Sequence, residues 1–259
     1  MRGPVLLLAC LVAAAVIAPA IASYPPERID LSHRREAPSA AHWFGTDDLG
    51  RDVFARVLFG ARVSLAVGLL SAAVAGASGI AIGGVAGYAG GALDAVLMRA
   101  TDAMLAVPRL PLLMIASAVL QPTVPLLVLM IGAAGWMETA RVVRAEFLTL
   151  GGRGFVESAR AAGAGHARLI AAHLLPNAAQ AVVVSVTLAV ARGILLESAL
   201  SFFGVGVRPP QASWGNMLYQ AQTTLATEPW LAFAPGLFIL MTTLSVNLAG
   251  DRLAARPNP

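Results

Sequence analysis

The sequence predicts an all-α integral membrane protein with six transmembrane helices. Of its 259 residues, 58% are hydrophobic and only 12% are charged, whereas a soluble domain carries roughly 25% charged residues. The charges are clustered, leaving uncharged runs at 3–26, 63–93, 110–137 and 229–250. Each run exceeds the roughly 20 residues a helix needs to cross a hydrocarbon core about 30 Å thick. All 18 basic residues are arginine. Without lysine the chain cannot form a Walker A phosphate loop, so any dependence on ATP must come from another subunit. Together these observations exclude a soluble enzyme, a disordered chain and a disulfide scaffold; the single Cys10 leaves nothing to pair with. The net charge of +4 and pI near 10.2 suit an anionic membrane surface. The arginines are scattered and form no tract, so no nucleic acid is expected as a partner.

The elements follow in order. Residues 1–22 read either as a cleavable signal peptide ending Ala20-Ile21-Ala22 or as a retained first span. The apolar stretch is long for a signal sequence, which favours retention. A polar segment at 23–62 holds six arginines and six acidic residues. Within it, Asp47 or Asp48 is expected to cap a short helix whose Val53, Phe54, Val57 and Leu58 share one face, lying at the membrane interface. The second span, 63–88, carries glycines at 79, 83, 87 and 91, four apart on one face, a pattern that allows close helix packing in lipid. The third span runs over 98–120, Pro122 and Pro125 mark a turn, and the fourth continues to 143. A polar stretch at 138–177 precedes the fifth span, 178–202. A loop at 204–228 with Pro209-Pro210 and Trp214 leads to the sixth, 229–248.

Arginine placement orients the chain. The 138–177 stretch holds Arg141, Arg144, Arg153, Arg160 and Arg168, while the 204–228 loop has only Arg208 and the turn at Pro122 none. The positive-inside rule then puts 138–177 and both termini in the cytoplasm. The 23–62 segment violates the rule, with six arginines outside against Arg2 inside.

The most informative stretch is 155–177, FVESARAAGAGHARLIAAHLLPN. Glu157-Ser158-Ala159 is followed after three residues by Gly163, then after nine by His173-Leu174-Leu175-Pro176. Glycine accepts the backbone angles of a tight bend, so two short helices can form a compact knob there. Val156, Ala159 and Gly163 share one face of the first helix, and Leu169, Ile170 and His173 line the second. Pro176 suits the first turn of the next span.

This spacing resembles the EAA loop of ABC importer permeases. Glu157, Ala159, Gly163, Leu175 and Pro176 match, while Ser158 replaces an alanine and His173 the usual aliphatic. Gly45-Thr46-Asp47, Gly50-Arg51-Asp52, Gly60-Ala61-Arg62, the run 200–206, Ser213-Trp214-Gly215 and 247–251 resemble the dipeptide, oligopeptide and nickel branch. The resemblance implies a permease subunit in two regions: 1–62, a membrane helix plus external loop, and 63–259, the permease core. The loop Glu157, Ser158, Ala159, Arg160, Gly163, His173, Leu175 and Pro176 would couple to the ATPases. It also implies a homologous permease partner, two cytoplasmic ATPase subunits that use the ATP and Mg, and an external substrate-binding protein. The chain itself would bind no cofactor and perform no catalysis. Peptides are the expected cargo, with nickel, another chelated metal or glutathione as alternatives.

Other constellations weigh less. Gly76-Ala77-Ser78-Gly79 resembles an intramembrane serine protease string, but no histidine lies deep in an apolar run to serve as base. His166 and His173 have no carboxylate or cysteine at zinc-ligand spacing. A proton-coupled secondary transporter would need several intramembrane relay groups. Arg192 and Glu197 fall within the fifth span, where a central charge costs about 2.5–3.5 kcal/mol on insertion scales. They are read as lining a translocation path or as an inter-helix ion pair.

Overall fold

A computed structural model describes residues 3–255. Arg2, which entered the orientation argument, lies outside the described residues. The described residues form helices and loops, with one isolated bridge, Thr46 to Asp52.

The chain begins with α1 (Gly3–Val16) and the short α2 (Ala18–Ile21). Leu11 and Ala15 of α1 are buried, and this helix packs against two of the long helices, Val53–Ala89 and Trp230–Ala254. Residues 22–52 then fold as a cap held by charge. Arg51 Nε donates to Asp47 Oδ2 at 2.7 Å, and Arg56 Nε lies 3.5 Å from the same oxygen. Arg35 reaches Glu228 at 3.6 Å. Three of the six arginines that violate the positive-inside rule are thus neutralised by paired carboxylates within the cap and the 204–228 loop.

Next, α3 (Val53–Ala89) runs for 37 residues without a break. The expected interfacial helix is therefore not a separate element. Its apolar face, Val53, Val57 and Leu58, is buried in protein rather than laid on lipid. The helix cap also differs from expectation. Asp52 accepts from Ala55 N at 2.7 Å, whereas Asp47 spends its carboxylate on Leu49 N, Arg51 N and Arg51 Nε. Because α3 crosses position 62 intact, the polar segment and the membrane core share one helix.

Two expected single spans are bent. α4 (Gly91–Ala106) and α5 (Arg109–Leu120) meet at 78°, and α6 (Val124–Ala133) and α7 (Trp136–Gly151) at 43°. Pro108 caps α5 in extended conformation, since a proline cannot donate to the preceding turn. Gly135 separates α6 from α7. The helix α7 runs on to Gly151, so the polar stretch read as a loop from Glu138 begins only at Gly152. Arg141 and Arg144 sit on that helix and pair with Asp102 and Asp94 of α4.

The knob follows as α8 (Gly154–Ala161) and α9 (His166–Arg168). From His166 the helix continues through a π-helical segment, Leu169–Leu174, into α10 (Leu175–Phe202). After α11 (Trp214–Ala221), α12 (Trp230–Ala254) closes the fold. Among the described residues three helices are long and apolar enough to cross a membrane, namely α3, His166–Phe202 and α12, or up to five if each bent pair is one span.

Glycines set the packing of α3. A Cβ on Gly87 would fall 2.8 Å from Arg144 O and Phe147 Cβ, and Gly79 meets Thr139 equally closely. The ladder thus seats α3 on α7 from Gly79 to Gly87. Gly91 lies beyond the end of α3 with open space around it, so it takes no part. On the other side, Gly193 of α10 crosses Gly68 of α3 backbone to backbone. Gly76 faces Val186, so the serine-protease-like string contributes packing positions at both its glycines.

Candidate functional site

Two ends of the bundle can be told apart by contacts. At one end, Arg208 donates to Gln121 at 3.1 Å, and the N–H of Trp214 donates to Ser64 Oγ. With Arg51 Nη2 donating to Gln220 Oε1 at 3.1 Å and Arg35 paired with Glu228, these bonds gather the cap, the 121–123 turn and the segment after α10. At the other end, Tyr88 Oη meets His166 Nδ1 at 2.5 Å and Gln180 donates to Leu253 O at 3.1 Å. The knob therefore sits with the ends of α3 and α12.

Within the knob, α8 is anchored by Val156, which is fully buried beside Leu169 and Leu174. Its end is a Schellman motif: Ala164 N donates to Ala159 O and Gly163 N to Arg160 O, each at 3.0 Å, with Gly163 at φ +84°. Glycine is needed for that angle and not for space, because a Cβ there would meet nothing within 4 Å. Glu157, Ser158, Arg160 and Gly163 are exposed, while Ala159 is half-buried. The knob thus buries one face against the bundle and offers the other outward, with Phe155 40% exposed at its edge.

His173 and Leu175 are half-buried and Pro176 is exposed. Pro176 does stand in the first turn of α10, but that helix does not start afresh there. Leu175 N–H reaches back five residues to Ile170 O. The wider π turn accommodates a ring that would clash with the carbonyl four residues earlier in an α-helix. His166–Phe202 is therefore one continuous helical rod of about 55 Å at 1.5 Å per residue, joining the knob to the middle of the bundle.

In that middle lies a charge cluster the sequence reading only half anticipated. Arg192 Nη2 is 2.8 Å from Glu138 Oε2, and Arg109 Nη2 donates to Glu138 Oε1 at 2.8 Å. Arg192 is thus both ion-paired and exposed to a cleft of about 500 Å³ whose wall also includes Glu138, Glu146, Asn177, Gln180 and Ser185. Sequence alone does not bring Glu138 and Arg109 together, because each sits at a helix break that the hydropathy run conceals. A proline or glycine beside an isolated charge was the available signal.

Glu197 is placed elsewhere. It is fully buried, faces α3 and the loop after α10, and accepts from Ser64 Oγ and Ser201 Oγ at 2.8 Å each. It neither pairs with Arg192 nor lines the cleft, because five residues on a helix turn it to a different face from Arg192.

Fold and cleft define a polytopic helical membrane protein with charged groups at depth. Residues 79–258 match the family model described as binding-protein-dependent transport system inner membrane component, and the chain belongs to that family. It is similar to a peptide permease protein of Brucella suis biovar 1, 40% identical over 89% of this chain and 77% of the relative. A peptide transport system permease protein of the same organism is 39% identical over 97% and 85%. The oligopeptide transport system permease protein of Bacillus subtilis is 34% identical over 98% and 83%. The chain is a membrane permease component of a transport system, multi-pass and of the inner membrane.

Proposed function

We propose that the chain is one permease half of an ATP-driven importer of peptides. The exposed knob carries this reading. It is a Gly163-terminated helix, anchored by Val156 and fused to the rod that bears Arg192. A partner that grips Glu157, Ser158, Ala159, Arg160 and Gly163 and moves them would move the rod through His173, Leu175 and Pro176, since the helix transmits the displacement. Two ATPase subunits would supply that motion and use the ATP and Mg; this chain would bind no cofactor and carry out no catalysis. The family description supports an external binding protein, and the relatives' names support peptides as cargo.

In this reading α1–α2, α3, α4–α5, α6–α7, α10 and α12 are six spans, with both termini and the knob cytoplasmic, and the cap and the 204–228 loop face the binding protein. A homologous permease completes the pore. Each partner must bind the inward-open and outward-open states with different affinity to shift their balance.

Sidedness and coupling are tested separately. In a Cys10→Ser background, Arg160→Cys should react with an impermeant maleimide only from the cytoplasmic face. Labelling from outside would remove the coupling role. In proteoliposomes of the full complex, Gly163→Pro should hydrolyse ATP without importing a labelled tripeptide; normal import by that variant would assign coupling elsewhere.

A further inference from the structure

Both bent spans break at the same place. Arg109 is the first residue of α5, directly after the 78° break, and Glu138 is the third of α7, directly after the 43° break. Arg192 of α10 reaches the same carboxylate. Irregular backbone at membrane depth is tolerated where it is buried in protein or lines a water-filled cavity, and charges there mark solute paths. This cluster meets both conditions, and its charge is unbalanced: two guanidiniums share one carboxylate.

We infer that the Arg192 guanidinium captures the free C-terminal carboxylate of a peptide in the cleft, an inference that rests on the importer reading above. The pairing makes the exchange feasible. Removing one partner from an ion pair ordinarily strands the other charge. Here Glu138 Oε1 stays bound to Arg109 Nη2 at 2.8 Å when Arg192 turns away, so an incoming carboxylate replaces like with like and strands nothing. Arg192, 37% exposed and on the cleft wall, is the accessible guanidinium; Arg109, 19% exposed, does not line the cleft and holds Glu138 from behind.

The other end of the cleft fits the other end of a peptide. Glu146 lines it eight residues beyond Glu138 on α7, which is about 12 Å along a helix. A carboxylate there suits an ammonium group. An extended chain covers at most about 3.5 Å per residue, so termini held at these two points belong to a peptide of about three or four residues. A cleft of about 500 Å³ lies within the roughly 300–1,000 Å³ range of small-ligand sites.

The test uses the purified complex of both permeases and both ATPases without its binding protein, so that selection by that protein does not enter. Trialanine at millimolar concentration should raise the melting temperature of the wild-type complex, and trialanine amide should not. Arg192→Gln should abolish the shift, and Arg192→Lys should restore a part of it. An equal shift with the amide, or an undiminished shift in Arg192→Gln, would overturn the inference. Uptake by the complete system distinguishes this from failure of the importer reading. Arg192→Gln should lower trialanine import at least tenfold; undiminished import would refute Arg192 capture alone, whereas absence of ATP-dependent peptide import in the wild type would overturn the importer reading.

Discussion

The hydroxyl of Ser64 joins three elements: it donates to Glu197 Oε2 at 2.8 Å and accepts from Trp214 N at 3.2 Å. Glu197 completes the junction by accepting from Ser201 Oγ, which in turn accepts from Val207 N at 3.0 Å. One buried carboxylate thereby ties α3, the end of α10 and the start of α11, with only serine hydroxyls as its hydrogen-bond partners among the described residues. Glu197→Ala would leave a cavity and two serine hydroxyls short of an acceptor, a loss of about 2–3 kcal/mol. Glu197→Gln keeps the volume and one carbonyl acceptor and should cost much less. Thermal unfolding of the detergent-solubilised complex should order the three as wild type, Gln, Ala. An Ala variant as stable as wild type would show that the junction contributes nothing.

The glycine ladder predicts a contrast between two single-methyl additions. Gly87→Ala drives a Cβ to 2.8 Å from the backbone of Arg144 and the Cβ of Phe147, neither of which can swing aside. The helices must separate, at about 1–3 kcal/mol. Gly151→Ala meets nothing within 4 Å and has no positive φ, so alanine's helix propensity should leave it neutral or stabilised by up to about 1 kcal/mol. Folded yield in the membrane should fall for the first and hold for the second.

These positions also show what the sequence discloses. Spacing made the ladder and the Gly163 bend legible, because a period of four and a fixed motif survive without tertiary context. It could not separate a glycine that meets a neighbour from one that ends a helix, hence Gly91. Hydropathy made the spans legible but averaged over the breaks at Pro108 and Gly135. Of the charges those breaks bring together, Glu138 therefore reads from sequence as the start of a polar stretch, and Arg109 falls unmarked inside the third span. Capping was misassigned for a related reason: three aspartates stand within six residues, at 47, 48 and 52. Only the fold reveals that the first serves two arginines and the last caps α3.

The cap provides the next test. Asp47 is 5% exposed and holds Arg51 and Arg56 through one oxygen, Oδ2. Asp47→Ala leaves both guanidiniums buried with weaker partners, which costs about 3–5 kcal/mol for a broken buried pair. The loss should be local, because α3 is anchored independently on α7 and α10. Limited proteolysis should cut faster within 24–52 while the membrane core stays intact. Unchanged cleavage would mean that the cap is held by backbone bonds such as Asp47 N to Arg51 O alone.

The backbone angle at Gly163 permits a graded test of the knob. The position lies at φ +84° in open space, so a side chain there pays through conformation alone. Asparagine visits left-handed angles readily, and Gly163→Asn should retain most transport. Alanine costs about 1–2 kcal/mol at such an angle, enough to populate a loosened Schellman turn and lower transport severalfold. Proline, locked near φ −65°, cannot form the turn at all. It also lacks the N–H that bonds Arg160 O at 3.0 Å, so it should abolish transport. Because no variant clashes with a neighbour, the order Gly, Asn, Ala, Pro follows from φ and not from size. Measured rates that instead fell with side-chain volume would mean that Gly163 is pressed directly against the partner, and that its angle is incidental to coupling.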